Sequence, residues 1–179
     1  TNVVFPIMTI ITALALLVGV GTAANFNMNL GAKRRDEAQL YIGTGLTMMS
    51  IFGILIFVVI LLFKTPVLLL CGATDNVLPL SQTYLGILVF GFPFLLFTSS
   101  ASVLIRADGS PMYSMICTVI GAVLNVFLDW LFMFPLNWGM QGAALATITG
   151  QIVSFIFCIL YFPRFKSFKI QFKTLALRL

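Results

Sequence analysis

Residues 112–134 read MYSMICTVIGAVLNVFLDWLFMF. The run holds no Lys, Arg, His or Glu and a single acid, Asp129. Wound as a helix it is about 34 Å long at a rise of about 1.5 Å per residue, enough to cross a hydrocarbon core of about 30 Å. A transmembrane strand would need about ten residues of alternating polarity, and this stretch does not alternate. Lipid offers no partners for backbone N–H and C=O groups, so a run of this kind must satisfy them internally as a helix.

Four further runs of the same character flank it, over 3–29, 40–63, 80–105 and 140–162. Hydrophobic residues make up 60% of the 179-residue chain and charged residues 8%, and the mean hydropathy is +1.10. A soluble domain carries roughly a quarter charged residues, so this chain has too few to cover a globular surface in water. The expected fold class is therefore an all-α integral membrane protein. Its predicted transmembrane bundle occupies 1–162, and residues 163–179 form a separate cytoplasmic segment.

Turn chemistry separates the runs. Gly31-Ala32-Lys33-Arg34-Arg35-Asp36-Glu37 divides the first two, and Lys64-Thr65-Pro66 opens a longer connection with a short apolar piece over 67–71. Arg106-Ala107-Asp108-Gly109-Ser110-Pro111 is a tight turn, in which Asp-Gly reverses the chain and Pro111 suits a helix start. Pro135-Leu136-Asn137-Trp138-Gly139 joins the last two spans, with Trp130 and Trp138 as interfacial belt residues. Gly19, Gly21, Gly86, Gly91 and Pro93 soften the first and third spans. In the final segment Phe165, Phe168, Phe172, Leu175 and Leu179 recur at helical spacing among lysines and arginines. That pattern predicts a basic amphipathic helix on the membrane surface.

The net charge of +5 is a topology signal and not a nucleic-acid footprint, because the basic residues lie at span ends. Counting on alternate sides places Lys33, Arg34, Arg35, Arg106, Arg164, Lys166, Lys169, Lys173 and Arg178 on one side and Lys64 alone on the other. The positive-inside rule then makes the tail cytoplasmic and the chain start external. An external start predicts a preceding helix outside this sequence, which begins at Thr1 and reads as a fragment. The plasma or inner cell membrane is the expected location.

Asp129 is the residue out of place. It lies about 8 Å inside the outer end of its span, and a carboxylate at the centre of a helix costs about 2.5–3.5 kcal/mol, less near the interface. No Lys or Arg lies within any of the five spans to offset it. Asp129 must be protonated, bind a cation or meet a partner from elsewhere. Gly121, Asn125 and Asp129 share a helix face at a spacing of four. On the antiparallel span that follows, Thr147 sits at a similar depth, and its hydroxyl, the Asn125 amide and the carboxylate are hard oxygen ligands of the kind an alkali cation prefers. Gln151, one turn beyond Thr147, is a candidate to line the same cavity. Gly142, Ala146, Gly150 and Ser154 form a stripe of small residues that lets a neighbouring helix approach closely. With no His and no CxxC pair among Cys71, Cys117 and Cys158, the sequence argues against transition-metal chemistry and His-based catalysis. No cofactor is implied.

Several of these pieces, in order, resemble the multidrug and toxic compound extrusion (MATE) transporters. They are Asn29-Leu30-Gly31-Ala32 before the basic turn, Leu69-Leu70-Cys71-Gly72-Ala73 with Tyr84-Leu85 downstream, and Arg106-Ala107-Asp108-Gly109-Ser110-Pro111. Asn125-x-x-x-Asp129 and Gly139-x-x-Gly142-Ala143-Ala144-x-Ala146-Thr147 with Gln151 complete the set. The resemblance implies a twelve-helix protein of two six-helix lobes that exports small organic cations in exchange for Na⁺ or H⁺, of which this chain supplies helices two to six of the first lobe. It implies a cation or proton coupling site at Asn125, Asp129 and Thr147, with Ala143 lending a backbone carbonyl. It also implies partners that the sequence lacks: an acid on the preceding helix and a carboxy-terminal lobe. The rival readings are a lipid-linked oligosaccharide flippase of the same superfamily, which would favour basic residues in the cavity, and an integral membrane enzyme or structural subunit. An enzyme would need a His, a metal cluster or facing acids, and the spans hold one acid, so no enzymatic activity is predicted.

Overall fold

Prolines and turn residues set where each helix begins and where it bends. The computed structural model describes residues 3–74 and 76–164, and its regular elements there are all helical: α1 (Phe5–Gly31), α2 (Arg35–Leu70), α3 (Leu78–Leu88), a 3-10 turn (Val89–Gly91), α4 (Phe92–Ala107), α5 (Pro111–Met133), α6 (Gly139–Tyr161) and a closing 3-10 turn (Phe162–Arg164). A proline stands in the first turn of α1, α3, α4 and α5, where its missing N–H removes no intrahelical bond. α3 and α4 run on as one span, so five helical segments are long and apolar enough to cross a membrane.

One helix differs in extent from the expectation, and one span is broken by a tighter turn. The second helix was expected over 40–63, but α2 begins at Arg35 and ends at Leu70. Its start is earlier because Asp36 and Glu37 occupy the first turn, where carboxylates favour the positive end of the helix dipole. It runs past Lys64 because only Phe63 departs from helical geometry, at φ −110° and ψ 23°. Pro66, three residues on, has no N–H for the carbonyl of Leu62 and would clash with it, so a bend at this point relieves the conflict. The same logic applies to the third span, where Pro93 lies four residues after Val89 and the chain tightens into 3-10 geometry over Val89–Gly91. The amphipathic reading of 163–179 lies, beyond Arg164, outside the described residues.

α4 is the axis of the bundle and packs against α1, α2, α5 and α6. Phe92, Leu96, Ala101, Leu104 and Ile105 on it are fully buried. α5 presents Val119, Val123, Val126, Phe127 and Trp130 outward, an apolar surface that suits lipid. Small residues allow two close crossings. A Cβ on Gly19 of α1 would stand 2.9 Å from the Ser100 Cα of α4, and one on Gly150 of α6 would stand 2.8 Å from the Gly121 carbonyl oxygen of α5. Buried hydroxyls tie the same contacts: Ser100 donates to the Ala15 carbonyl, and Ser154 donates to the Cys117 carbonyl at 3.1 Å. Such bonds are well suited to lipid, where backbone carbonyls find no water.

The turn at 106–110 is fastened to the far end of α6. Gly109 takes φ +78°, and the Gly109 and Ser110 amides bond back to the Arg106 and Ile105 carbonyls at 3.0 and 3.2 Å, a helix C-cap that favours glycine. The Tyr161 hydroxyl donates to Asp108 Oδ2 at 2.7 Å, and Tyr113 donates to the Phe157 carbonyl at 3.0 Å. Asp108 is therefore a buried structural acid at a span end, distinct from Asp129 in its setting.

Candidate cation site

α5 and α6 are antiparallel and joined by the short turn 134–138, so residues equally far from that turn lie opposite each other. Asn125 is eight residues before Met133, and Thr147 eight residues after Gly139. They meet: Asn125 Nδ2 lies 3.4 Å from Thr147 Oγ1. The Thr147 hydroxyl hydrogen goes to the Ala143 carbonyl at 2.9 Å. This local bond fixes the threonine rotamer and turns its oxygen lone pairs toward Asn125. Asn125 contributes an amide hydrogen to the pair and keeps its carbonyl oxygen as an acceptor. The Ala143 carbonyl is thus engaged by Thr147 in this structure.

Asp129 stands one turn outward of Asn125 on the same helix. Its Oδ1 is buried and has no hydrogen-bond partner among the described residues, and no hydrogen bond joins it to Asn125 or Thr147. Asp129 as a residue is half-buried, and leaving this one oxygen unpaired is costly; a proton, a cation or a donor from outside the described residues would satisfy it. Gln151 sits one turn inward of Thr147. Its Oε1 is likewise buried and unpartnered, and it packs against Gly91 in the 3-10 turn.

Tyr84, on α3, is a site residue that spacing arguments did not single out. Its side chain lies beside that of Thr147. α3 packs on α6, which brings a polar-tipped aromatic against the outer side of the Asn125–Thr147 pair. The only sequence signal for it was its place in the Tyr84-Leu85 pair used for the resemblance, because the approach of α3 to α6 depends on tertiary packing. An amide and a hydroxyl thus meet across α5 and α6, with the Asp129 carboxyl one turn away on α5 and the Tyr84 phenol beside Thr147 on α3. Such an all-oxygen set matches a hard monovalent cation or a proton and offers nothing to a soft metal.

The sequence model of the MatE family matches residues 1–131. The chain belongs to the MatE family. The probable multidrug resistance protein YoeA of Bacillus subtilis is 29% identical over 167 residues, covering 90% of this chain and 36% of that protein. The multidrug export protein MepA of Staphylococcus aureus is 28% identical over 163 residues, covering 91% of this chain and 36% of that protein. The chain therefore spans about a third of the length of these relatives. Among solved structures, a MATE protein in the bent conformation superposes with a TM-score of 0.93 at 26% identity, covering 99% of this chain and 40% of that one. An inward-facing MATE family multidrug resistance transporter superposes with a TM-score of 0.91 at 26% identity, covering 99% of this chain and 41% of that one. The chain is a multi-pass membrane portion of a MATE-type fold.

Proposed function

We propose that the longer protein carrying this chain is a secondary antiporter, exporting small organic cations such as drugs in exchange for Na⁺ or H⁺. The observation that carries the reading is the buried, unpartnered Asp129 Oδ1 beside the Asn125–Thr147 pair. The names of its relatives, multidrug export and multidrug resistance proteins, supply the substrate class. Asp129 is the group that takes up and releases the coupling ion. Asn125, Thr147 and the Ala143 carbonyl supply neutral oxygens, and Tyr84 closes the outer side. A gradient across the membrane supplies the drive, about 2.3 kcal/mol per charge per 100 mV in addition to the concentration term. Export follows if ion-bound and ion-free states favour opposite-facing conformations.

The direct test uses the full-length protein in vesicles, with a fluorescent organic cation and an imposed Na⁺ or pH gradient. Gradient-driven movement of the dye is expected. Movement that persists undiminished when both gradients are collapsed would overturn the antiport reading.

Orientation belongs to the same proposal: the turns 33–37 and 106–110 face the cytoplasm, and 71–77 and 134–138 face outward. In a background with Cys71, Cys117 and Cys158 replaced, Ser110→Cys in intact cells should resist an impermeant thiol reagent and react only after permeabilisation. Asn137→Cys should react from outside. The reverse pattern would invert the topology.

A further inference from the structure

α2 and the α3–α4 span are each interrupted, and both interruptions sit where a proline has already removed a hydrogen bond. α2 leaves helical geometry at Phe63, where Pro66 has no N–H for the Leu62 carbonyl. The other span tightens into 3-10 geometry over Val89–Gly91, where Pro93 has none for the Val89 carbonyl. A helix bends most cheaply where such a bond is absent from the start. Around and inward of the breaks the helices pack closely. A Cβ on Gly53 of α2 would stand 3.3 Å from Pro93 Cα, and the Phe57 and Phe90 rings meet at 5.4 Å. Outward of the breaks the two arms, 64–70 of α2 and α3, are tied to each other. Gln82 donates to Thr65 Oγ1 at 3.0 Å, and Lys64 lies over Gly86, where a Cβ would stand 3.8 Å from its Nζ. Against α6 the arms are looser. A crevice of about 320 Å³ opens between the outer end of α3 and the first turn of α6, lined by Pro79, Thr83, Trp138 and Gln141 among others. Inward of it, Tyr84 lies beside Thr147.

We infer that the arms 64–70 and 78–88 form a hinged hairpin that gates the coupling site from the side bearing the turn 134–138, with Tyr84 as the residue that covers Thr147. The inference rests on the reading of Asp129, Asn125 and Thr147 as the coupling site. In this structure the hairpin is closed, since Tyr84 stands against Thr147. Bending at Phe63 and at Val89–Gly91 together swings both arms as one body, because the Gln82–Thr65 bond lies within it. α3 has 11 residues, an arm about 16 Å long. A swing of about 20°, the size of an ordinary kink, moves its tip by about 6 Å. Tyr84, five residues from the break, moves about 3 Å, enough to part it from Thr147 and admit a water. Closure excludes water from the Asn125–Thr147 pair, and electrostatic contacts strengthen in a water-free site. Ion-bound protein therefore favours the closed hairpin, and loss of the ion releases it.

The test is a pair of spin-label distances in the full-length protein in nanodiscs, in a background without other cysteines. One pair joins Leu80→Cys on α3 to Val126→Cys on α5, and the control joins Ile156→Cys on α6 to Val126→Cys; all three positions are exposed. The Leu80–Val126 distance is expected to shift by about 6 Å between saturating Na⁺ or low pH and ion-free high pH, with the control unchanged. An unchanged Leu80–Val126 distance, or equal shifts in both pairs, would overturn the hinged hairpin. Function is read with Thr83→Cys and Gln141→Cys, which line the same crevice, joined by a reducible bifunctional thiol reagent. Dye efflux from vesicles is expected to fall about tenfold or more on joining and to return on reduction. Undiminished efflux by the joined protein would overturn the gate. Failure of the coupling site itself reads out separately, as wild-type efflux by Asp129→Asn.

Discussion

Asp129→Asn in the full-length protein is expected to reduce gradient-driven efflux by at least tenfold while expression and detergent stability stay near wild type. Asparagine keeps the shape of the side chain and one hydrogen-bonding oxygen, and it removes the charge. Stability should hold because a neutral amide is better tolerated in lipid than a carboxylate, and because Asp129 Oδ1 makes no hydrogen bond that the change would break. Transport should fail because a site that binds and releases a cation needs differential affinity between two states, and neutral oxygens alone supply less of it. Thr147→Val removes one neutral ligand, worth on the order of 1 kcal/mol, and should weaken export by about fivefold. It also releases the Ala143 carbonyl from its bond with the Thr147 hydroxyl. Efflux of a fluorescent organic cation from vesicles under an imposed gradient measures both variants. Full activity in Asp129→Asn would reduce this carboxyl to a structural group.

The helices were legible because lipid imposes one rule on every residue of a span. The run over 112–134 must close its own hydrogen bonds, and nothing about its neighbours alters that. Their ends are less legible, because a charge at the edge of an apolar run does not by itself stop a helix. At Arg35 the acids of the first turn let the helix start before its apolar face begins, and at Lys64 a long side chain can carry its ammonium to the interface while the backbone continues. Within the candidate site, the meeting of Asn125 with Thr147 follows from arithmetic along two helices joined by a short turn. Tyr84 escapes such arithmetic. It reaches Thr147 through the packing of α3 on α6.

Gly150→Leu should lower stability by about 3 kcal/mol or more, the upper range for overpacking a close contact. The first added carbon is already too near its neighbours. A Cβ at this position would lie 2.8 Å from the Gly121 carbonyl oxygen and 3.1 Å from Asn125 Cβ. Neither can yield alone, because one is helix backbone and the other is the root of a side chain. α5 and α6 would have to separate. That separation would strain the Ser154 bond to the Cys117 carbonyl and draw Asn125 away from Thr147, so packing and ion coupling should fail together. Gly150→Ala should show the same loss in smaller measure, about 1 kcal/mol. Gly21→Ala is the control, since a Cβ on Gly21 meets no atom within 4 Å; helix propensity alone makes it neutral or mildly stabilising. Thermal unfolding in detergent, followed by the monodisperse fraction on size exclusion, gives the comparison. Equal melting temperatures for Gly150→Leu and Gly21→Ala would mean that α5 and α6 do not cross at Gly121 and Gly150, and the geometry that sets Asn125 against Thr147 would fall with them.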